Sequence, residues 1–163
     1  MSTPELRRSA ARVICAALLA ALACATGPTY RQAEASLPAL APGNGRLFVF
    51  QTTSEVPTFF PKIAVDGAFA GELRADSFFS VDLPAGVHRV GVHVDASNAA
   101  FGSQGATEPV ELLMEAGQTA YVEADTQDAA GMVIVHLAPV AADDGEQLLA
   151  PLHRAPQPTE RRE

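Results

Sequence analysis

The side chains that could perform acid–base or metal chemistry are four histidines and scattered carboxylates. His88 and His93 lie five residues apart on one predicted strand, so they face opposite sides and cannot hold one metal ion together. His136 falls on another strand, and His153 lies in a charged tail. The sequence contains neither an HExxH zinc motif nor a Gly-x-Ser-x-Gly nucleophile motif. We therefore predict dispersed histidines, a non-enzymatic protein, no catalytic or metal site and no cofactor.

The thiol of Cys24 is the exception, because it could accept a lipid. It follows Ala21-Leu22-Ala23, which resembles the lipobox of bacterial lipoproteins, in which a cysteine receives diacylglycerol on sulfur and becomes the new N-terminus. That reaction needs a thiol as the acceptor and a small preceding residue, here Ala23, to enter the peptidase groove. We therefore predict lipidation at Cys24 and a membrane partner for the acylated chain.

The residues before Cys24 are typical of a signal peptide, which we assign to residues 1–23. Arg7, Arg8 and Arg12 form a basic region before the apolar run Val13–Ala23. This run is too short for a transmembrane helix, which needs about 20 apolar residues.

Cysteine usage also favours acylation. Cys15 lies within the signal and leaves with it, so the mature chain keeps one cysteine, and an unpaired cysteine in an exported protein needs an explanation. Ordinary signal-peptidase cleavage after Ala23 is the alternative, and it would leave Cys24 unlipidated. Ala25, rather than aspartate, follows Cys24; by resemblance to Gram-negative sorting, this predicts the outer membrane, with the protein facing the periplasm of the cell envelope.

Composition divides the rest of the chain into three parts. Residues 24–45 are rich in proline and glycine and are predicted to be a tether in which Arg31–Leu37 could form a helical turn or two. Residues 46–140 are predicted to be a β-sandwich domain. Residues 141–163 are predicted to contain a short helix from Asp143 to Leu149 and then a disordered, proline-rich tail.

The central stretch of the domain alternates short strands with turns. Asp66-Gly67 is a strong hairpin signal, and Pro84-Ala85-Gly86 has the residues of a second turn. Several short strands at near-regular spacing favour a small all-β protein, an antiparallel β-sandwich of about 7–8 strands. The predicted strands are Leu47–Phe50, Ile63–Val65, Phe69–Leu73, Ser77–Leu83, Val87–Val94, Val110–Met114, Thr119–Asp125 and Met132–Leu137.

Strand parity predicts which side chains face the core. Arg89 is expected to face solvent, and His88 is expected to be a satisfied core residue. Leu47–Phe50 and Met132–Leu137 are apolar on both parities, and Leu47–Phe50 should therefore be covered on both faces. The residues predicted to face inward are Val81, Val90, Val92, Leu112 and Val122.

Three phenylalanines in predicted loops are candidate partner contacts: Phe59, Phe60 and Phe101. Aromatic side chains on loops between strands often bind partners. The alternative is that they fill the open ends of the sandwich.

Several segments of the chain form a recognisable layout: Leu22-Ala23-Cys24, Ala35–Phe50, Val65-Asp66-Gly67, Gly71-Glu72-Leu73, Phe78-Phe79, Leu83–His88 and Ala116–Val122. In these segments the chain resembles a family of bacterial lipoproteins that is defined by a domain of unknown function, and the similarity runs from about Cys24 to Asp125. Its core also resembles PEGA-type surface β-sandwich modules. The resemblance implies a fold and an envelope location and assigns no catalytic residue.

The net charge of −8 makes nucleic-acid binding through phosphates unfavourable. Two functional classes remain. The first class is a non-catalytic, lipid-anchored β-sandwich that binds an envelope partner, either a protein or a polysaccharide. The second is a module that holds a small apolar or lipidic ligand between its sheets.

Overall fold

The computed structural model describes residues 27–94, 105–106 and 108–155. These residues form a six-stranded and a four-stranded β-sheet that share one core. Two helices, α1 (Tyr30–Ser36) and α2 (Ala142–Leu149), contribute side chains to a second core on the outer face of the larger sheet. The predicted all-β sandwich with a short C-terminal helix is confirmed.

The β2–β3 turn lies where the sequence predicts it. Asp66-Gly67 connects β2 to β3, and Asp66 and Gly67 both have a positive φ, as the tightest hairpin turns require. The larger sheet has the order β10-β4-β1-β8-β9-β6, and the smaller has the order β3-β2-β5-β7. The strands are β1 (Asn44–Gln51), β2 (Lys62–Val65), β3 (Ala68–Glu72), β4 (Ser77–Pro84), β5 (Gly86–Val92), β6 (Gly105–Ala106), β7 (Val110–Met114), β8 (Thr119–Ala129), β9 (Met132–Val140) and β10 (His153–Arg154).

The larger sheet is mixed, whereas the sequence predicted antiparallel pairing. β1 lies parallel to β8, with Leu47 opposite Ala120 and Val49 opposite Val122. β10 lies parallel to β4, and β6 lies parallel to β9. Turn residues reveal only the pairing of consecutive strands, whereas β1 and β8 are separated by the whole smaller sheet.

The core between the sheets follows the predicted parity. Val90 and Val122 are buried in it, and Val81 and Leu112 pack against it while partly buried. Val92 packs against a smaller cluster around Phe59 instead. On the opposite parity, Arg89 is exposed, so the predicted register of the smaller sheet is confirmed.

Strand β1 is buried on both faces, as its sequence predicts. Leu47 and Val49 point into the core between the sheets. Phe48 and Phe50 point to the outer face, where they form an aromatic cluster with Phe78, Tyr121 and the helix residues Tyr30 and Leu149. The Phe48 and Tyr121 rings stack at 5.8 Å, and the Tyr30 ring meets Phe48 edge-on at 5.5 Å.

Ordered structure continues beyond both ends of the predicted sandwich domain, residues 46–140. In the predicted tether, α1 buries Tyr30 and Ala33 against the larger sheet. In the predicted disordered tail, Leu152 and Ala155 are buried and β10 joins the sheet. The physical reason is that the outer face of the larger sheet is apolar and takes its cover from both ends of the described chain. Residues 156–163 lie outside the described residues.

Candidate functional site

The two ends of the described chain are held together by backbone hydrogen bonds. The Arg154 amide donates to the Pro28 carbonyl at 2.8 Å, and the Tyr30 amide donates to the Leu152 carbonyl at 3.0 Å. Nδ1 of His153 lies 3.0 Å from the Gly27 carbonyl oxygen. We call these contacts between residues 27–30 and 152–154 the terminal clasp.

Gly27 is required for the clasp to close. A Cβ at this position would overlap the backbone carbonyl of Arg154, so a residue with a side chain would force the two segments apart. The position of the chain is therefore fixed from Gly27 onward.

The clasp is attached to one end of the sandwich. The His153 amide donates to the Asp76 carbonyl at 3.0 Å, and the Ala155 amide donates to the Phe78 carbonyl at 2.7 Å. Asp76 belongs to the turn between β3 and β4, which passes from one sheet to the other. The N-terminal segment therefore reaches the domain at the end where β1 finishes and β4 begins, and we call this the clasp end.

The candidate partner aromatics separate into two environments. Phe59 is only 3% exposed and packs against Val133 and Val135, which agrees with the alternative interpretation that it fills the end of the sandwich. Phe60 is 37% exposed, and its ring centroid lies 4.8 Å from the guanidinium carbon of Arg74. Phe101 lies outside the described residues.

A second attachment fixes the segment between α1 and β1. Arg46 binds the Asp82 carboxylate with two hydrogen bonds, of 2.6 and 2.9 Å, and it also donates to the Pro38 carbonyl at 2.8 Å. The hydrogen bond to Asp82 raises the pKa of the Arg46 guanidinium. Pro38 is thus tied to the sheet, which excludes a free tether in this part of the chain.

His88 is buried and hydrogen-bonded on both ring nitrogens, as a core histidine. Nδ1 lies 2.7 Å from an Asp66 carboxylate oxygen, and Nε2 lies 2.8 Å from the Pro84 carbonyl oxygen. The other Asp66 oxygen accepts the Arg89 amide at 2.9 Å. His88 therefore links the β2–β3 turn to the β4–β5 turn.

The charge state of His88 follows from its partners. Both partners are acceptors, and only the imidazolium form can donate from both nitrogens. The hydrogen bond to Asp66 raises the pKa of His88, and the Pro84 carbonyl raises it further. The pKa of Asp66 is lowered, first by the Arg89 amide and then by His88. This arrangement is a structural ion pair at a strand end.

The other histidines have separate surroundings. The His93 ring lies 5.4 Å from the Phe69 ring, His136 is exposed on β9, and His153 belongs to the clasp. Among the described residues, no group of three or more His, Cys, Asp or Glu side chains is arranged to hold a metal ion.

The outer face of the smaller sheet carries a concavity of about 560 Å³. Ala64 and Gly91 lie at its base, where a methyl group and a hydrogen leave space, and Asp66, Arg89 and Pro109 line its sides. Val87 and Leu113 form an exposed apolar pair on neighbouring strands of the same sheet. This face combines apolar and charged groups without a covering layer among the described residues.

Sequence reasoning missed the terminal clasp. The available signals were the apolar residues Leu152 and Ala155 on either side of His153-Arg154, and Gly27-Pro28 before Tyr30. The predicted lipidation site, Cys24, lies outside the described residues, three positions before Gly27.

No protein-family model matches this chain, and no curated protein matches it significantly. In the part of the chain that the structure describes, no helix is long and apolar enough to cross a membrane.

Proposed function

We propose that the chain is a non-catalytic, lipid-anchored β-sandwich of the bacterial cell envelope, held at the outer membrane through acylated Cys24 and binding an envelope protein or polysaccharide. The observation that carries the proposal is the order of Arg7, Arg8 and Arg12, the apolar run Val13–Ala23 and then Cys24. This order places an acceptor thiol directly after a segment of signal-peptide character. The family resemblance points to the same location.

The chemistry of the folded part is consistent with binding rather than catalysis. General acid–base catalysis needs a titratable group within hydrogen-bond reach of a substrate. His88 already uses both ring nitrogens within the fold. The remaining described histidines occur in three different surroundings.

The outer face of the smaller sheet is the surface on which we expect the envelope partner. Leu113 is 63% exposed beside Val87. Next to them, Arg89 and Glu111 form an ion pair in which Nε of Arg89 lies 3.9 Å from Oε1 of Glu111. An apolar centre with charged neighbours is the usual composition of a transient protein interface.

Packing of β1 favours this proposal over a ligand held between the sheets. The alternative requires a cavity lined by strands such as Leu47–Phe50 and Met132–Leu137. In β1, however, Leu47 and Val49 contact other core side chains, and Phe48 and Phe50 contact the aromatic cluster. β1 therefore offers no apolar face to a ligand.

Replacement of Cys24 by serine tests the anchor. Cys24→Ser should release the protein into the soluble periplasmic fraction and abolish incorporation of labelled fatty acid, because the hydroxyl does not replace the thiol as acceptor. Cys15→Ser is the matched control, since Cys15 lies within the signal, and it should leave both properties unchanged. A Cys24→Ser protein that still sediments with membranes and carries as much label as the wild type would refute lipidation.

Partner capture from detergent-solubilised membranes separates the two functional classes. The acylated protein should retain an envelope protein or polysaccharide, and Leu113→Ser should retain less of it. Mass analysis of the purified, unacylated Cys24→Ser protein that finds a bound small apolar or lipidic molecule would favour the ligand-binding class instead.

A further inference from the structure

The connection between the predicted anchor and the rigid domain is much shorter than composition suggests. Cys24 precedes Gly27 by three residues, and the terminal clasp fixes the chain from Gly27 onward. Because an extended chain spans at most about 3.6 Å per residue, the connection can reach no more than about 11 Å. A long tether would let the domain leave the headgroup layer, whereas this short connection keeps the clasp end beside the bilayer once Cys24 is acylated.

The clasp end carries groups suited to a lipid interface. Phe60 is an exposed aromatic of the loop before β2, and Arg74 lies over its ring. Arg74 is two residues from Asp76, whose carbonyl accepts the His153 amide of the clasp. Phe60, Arg74 and the point of attachment therefore lie at the same end of the sandwich.

This pairing has a physical use at a membrane surface. An aromatic ring gains free energy in the region between headgroups and acyl chains, whereas an arginine keeps its charge in the headgroup layer while its stem covers apolar surface. The carboxylate of Asp76 on the same end offsets part of the positive charge, so apolar contact should matter more than attraction to anionic lipid.

We propose that the clasp end is a membrane-apposed surface, in which Phe60 and Arg74 contact the lipid headgroup region while the opposite end of the sandwich points away from the bilayer. The occupant of this surface is the bilayer that holds the acyl chains, so the inference rests on the proposed lipid anchor. Contact between the clasp end and the bilayer would also fix how the outer face of the smaller sheet, where we expect the partner, is oriented relative to the membrane.

Tryptophan fluorescence tests the orientation, since the chain contains no tryptophan. Phe60→Trp places a single reporter at the clasp end, and Leu113→Trp places a matched reporter beside the β4–β5 turn at the other end. Each acylated variant is reconstituted into phosphatidylcholine vesicles with brominated acyl chains, and the same variant in the unacylated Cys24→Ser chain is the soluble reference.

The two reporters should respond differently to the vesicles. We expect the emission of the Phe60→Trp variant to shift to shorter wavelength and to be quenched by the brominated chains. The emission of the Leu113→Trp variant should stay the same as that of its soluble reference, because its indole points away from the bilayer.

Lengthening the connection sharpens the test. A flexible Gly/Ser linker inserted between Thr26 and Gly27 should reduce the quenching of the Phe60→Trp variant to the level of the Leu113→Trp variant, while the protein stays in the membrane fraction. Unchanged quenching of the Phe60→Trp variant after this insertion would overturn the role of the short connection.

The remaining outcomes distinguish this inference from the anchor itself. Equal quenching of the two tryptophan variants, or no quenching of either in a protein whose mass includes the acyl chains, overturns the membrane-apposed surface and leaves lipidation intact. A mass without acyl chains overturns the anchor and the surface together.

Discussion

The outer faces of the two sheets differ in what covers them. On the larger sheet, Phe48, Phe50 and Phe78 are buried beneath the helix residues Tyr30 and Leu149. On the smaller sheet, Val87 and Leu113 are exposed. One face of the molecule is therefore a second core, which stabilises the fold, and the other is the face on which we propose that a partner binds.

The two sheets are also stabilised by different kinds of interaction. The larger sheet is covered by apolar and aromatic contacts from the ends of the described chain. The smaller sheet instead has its β2–β3 turn joined to the β4–β5 connection, which links the two sheets, by the charged hydrogen bonds of His88 with Asp66 and Pro84. No described segment covers the outer face of the smaller sheet, and these polar bonds fix its β2–β3 turn against the connection to the larger sheet.

Truncation in the aromatic cluster should give the largest loss of stability. Phe50→Ala removes a fully buried ring and should lower the free energy of unfolding by about 3–5 kcal/mol. Urea melts of the soluble domain measure this loss. Arg89→Ala, on the exposed face, should change the same quantity by no more than about 0.5 kcal/mol. Equal losses for the two variants would contradict the contrast between the faces.

Loss of the His88 bonds should have an intermediate effect that depends on pH. His88→Gln should lower the free energy of unfolding by about 1–3 kcal/mol near pH 6, since it removes charge-assisted bonds from a buried side chain. In the wild type, the His88 contribution is complete below about pH 6.5, the pKa of an unperturbed histidine. It is lost as the pH rises through the raised pKa of the folded state. Urea melts at several pH values measure both effects, and a loss that does not change with pH would contradict the charged form.

Asp66 has the opposite dependence. Because its pKa is lowered in the folded state, its contribution is present above about pH 3.9 and is lost as the pH falls through that lowered pKa. The His88–Asp66 pair therefore stabilises the folded state most between about pH 3.9 and pH 6.5. An NMR titration of the His88 ring should give a pKa above 6.5, and Asp66→Asn should move it down; a wild-type pKa at or below 6.5 would exclude the imidazolium form.

Substitution on the open face should have the smallest effect on stability. Leu113→Ser should change the free energy of unfolding by no more than about 0.5 kcal/mol, because the side chain already contacts water. Its effect should appear only in partner capture from membranes, and Leu148→Ser, an exposed leucine of α2 outside this face, is the matched control that should keep the partner. A large loss of stability would mean that a further layer covers this face.

Local patterns predicted most of the fold. The alternation of Val90 with Arg89 set which face of β5 is buried, and Asp66-Gly67 set the β2–β3 hairpin. The apolar residues on both parities of Leu47–Phe50 correctly indicated a strand covered on both sides. These predictions succeeded because burial and turn geometry depend on neighbouring residues.

The candidate site was predicted less well. Phe59 and Phe60 are adjacent and chemically identical in sequence, yet one fills the core and the other is exposed beneath Arg74. Only the path of the loop between the sheets separates them. The same limit applies to the terminal clasp, whose hydrogen bonds join residues at opposite ends of the described chain.

The sequence by itself determined the class of the fold, the register of the smaller sheet and the satisfied character of His88, because each depends on strand parity or on a short turn. Tertiary structure alone decided the parallel pairing of β1 with β8, the cover on the larger sheet and the attachment of Gly27 to Arg154. These contacts join segments far apart in the chain, and their partners are selected by the shape and apolar surface of the assembled sheets.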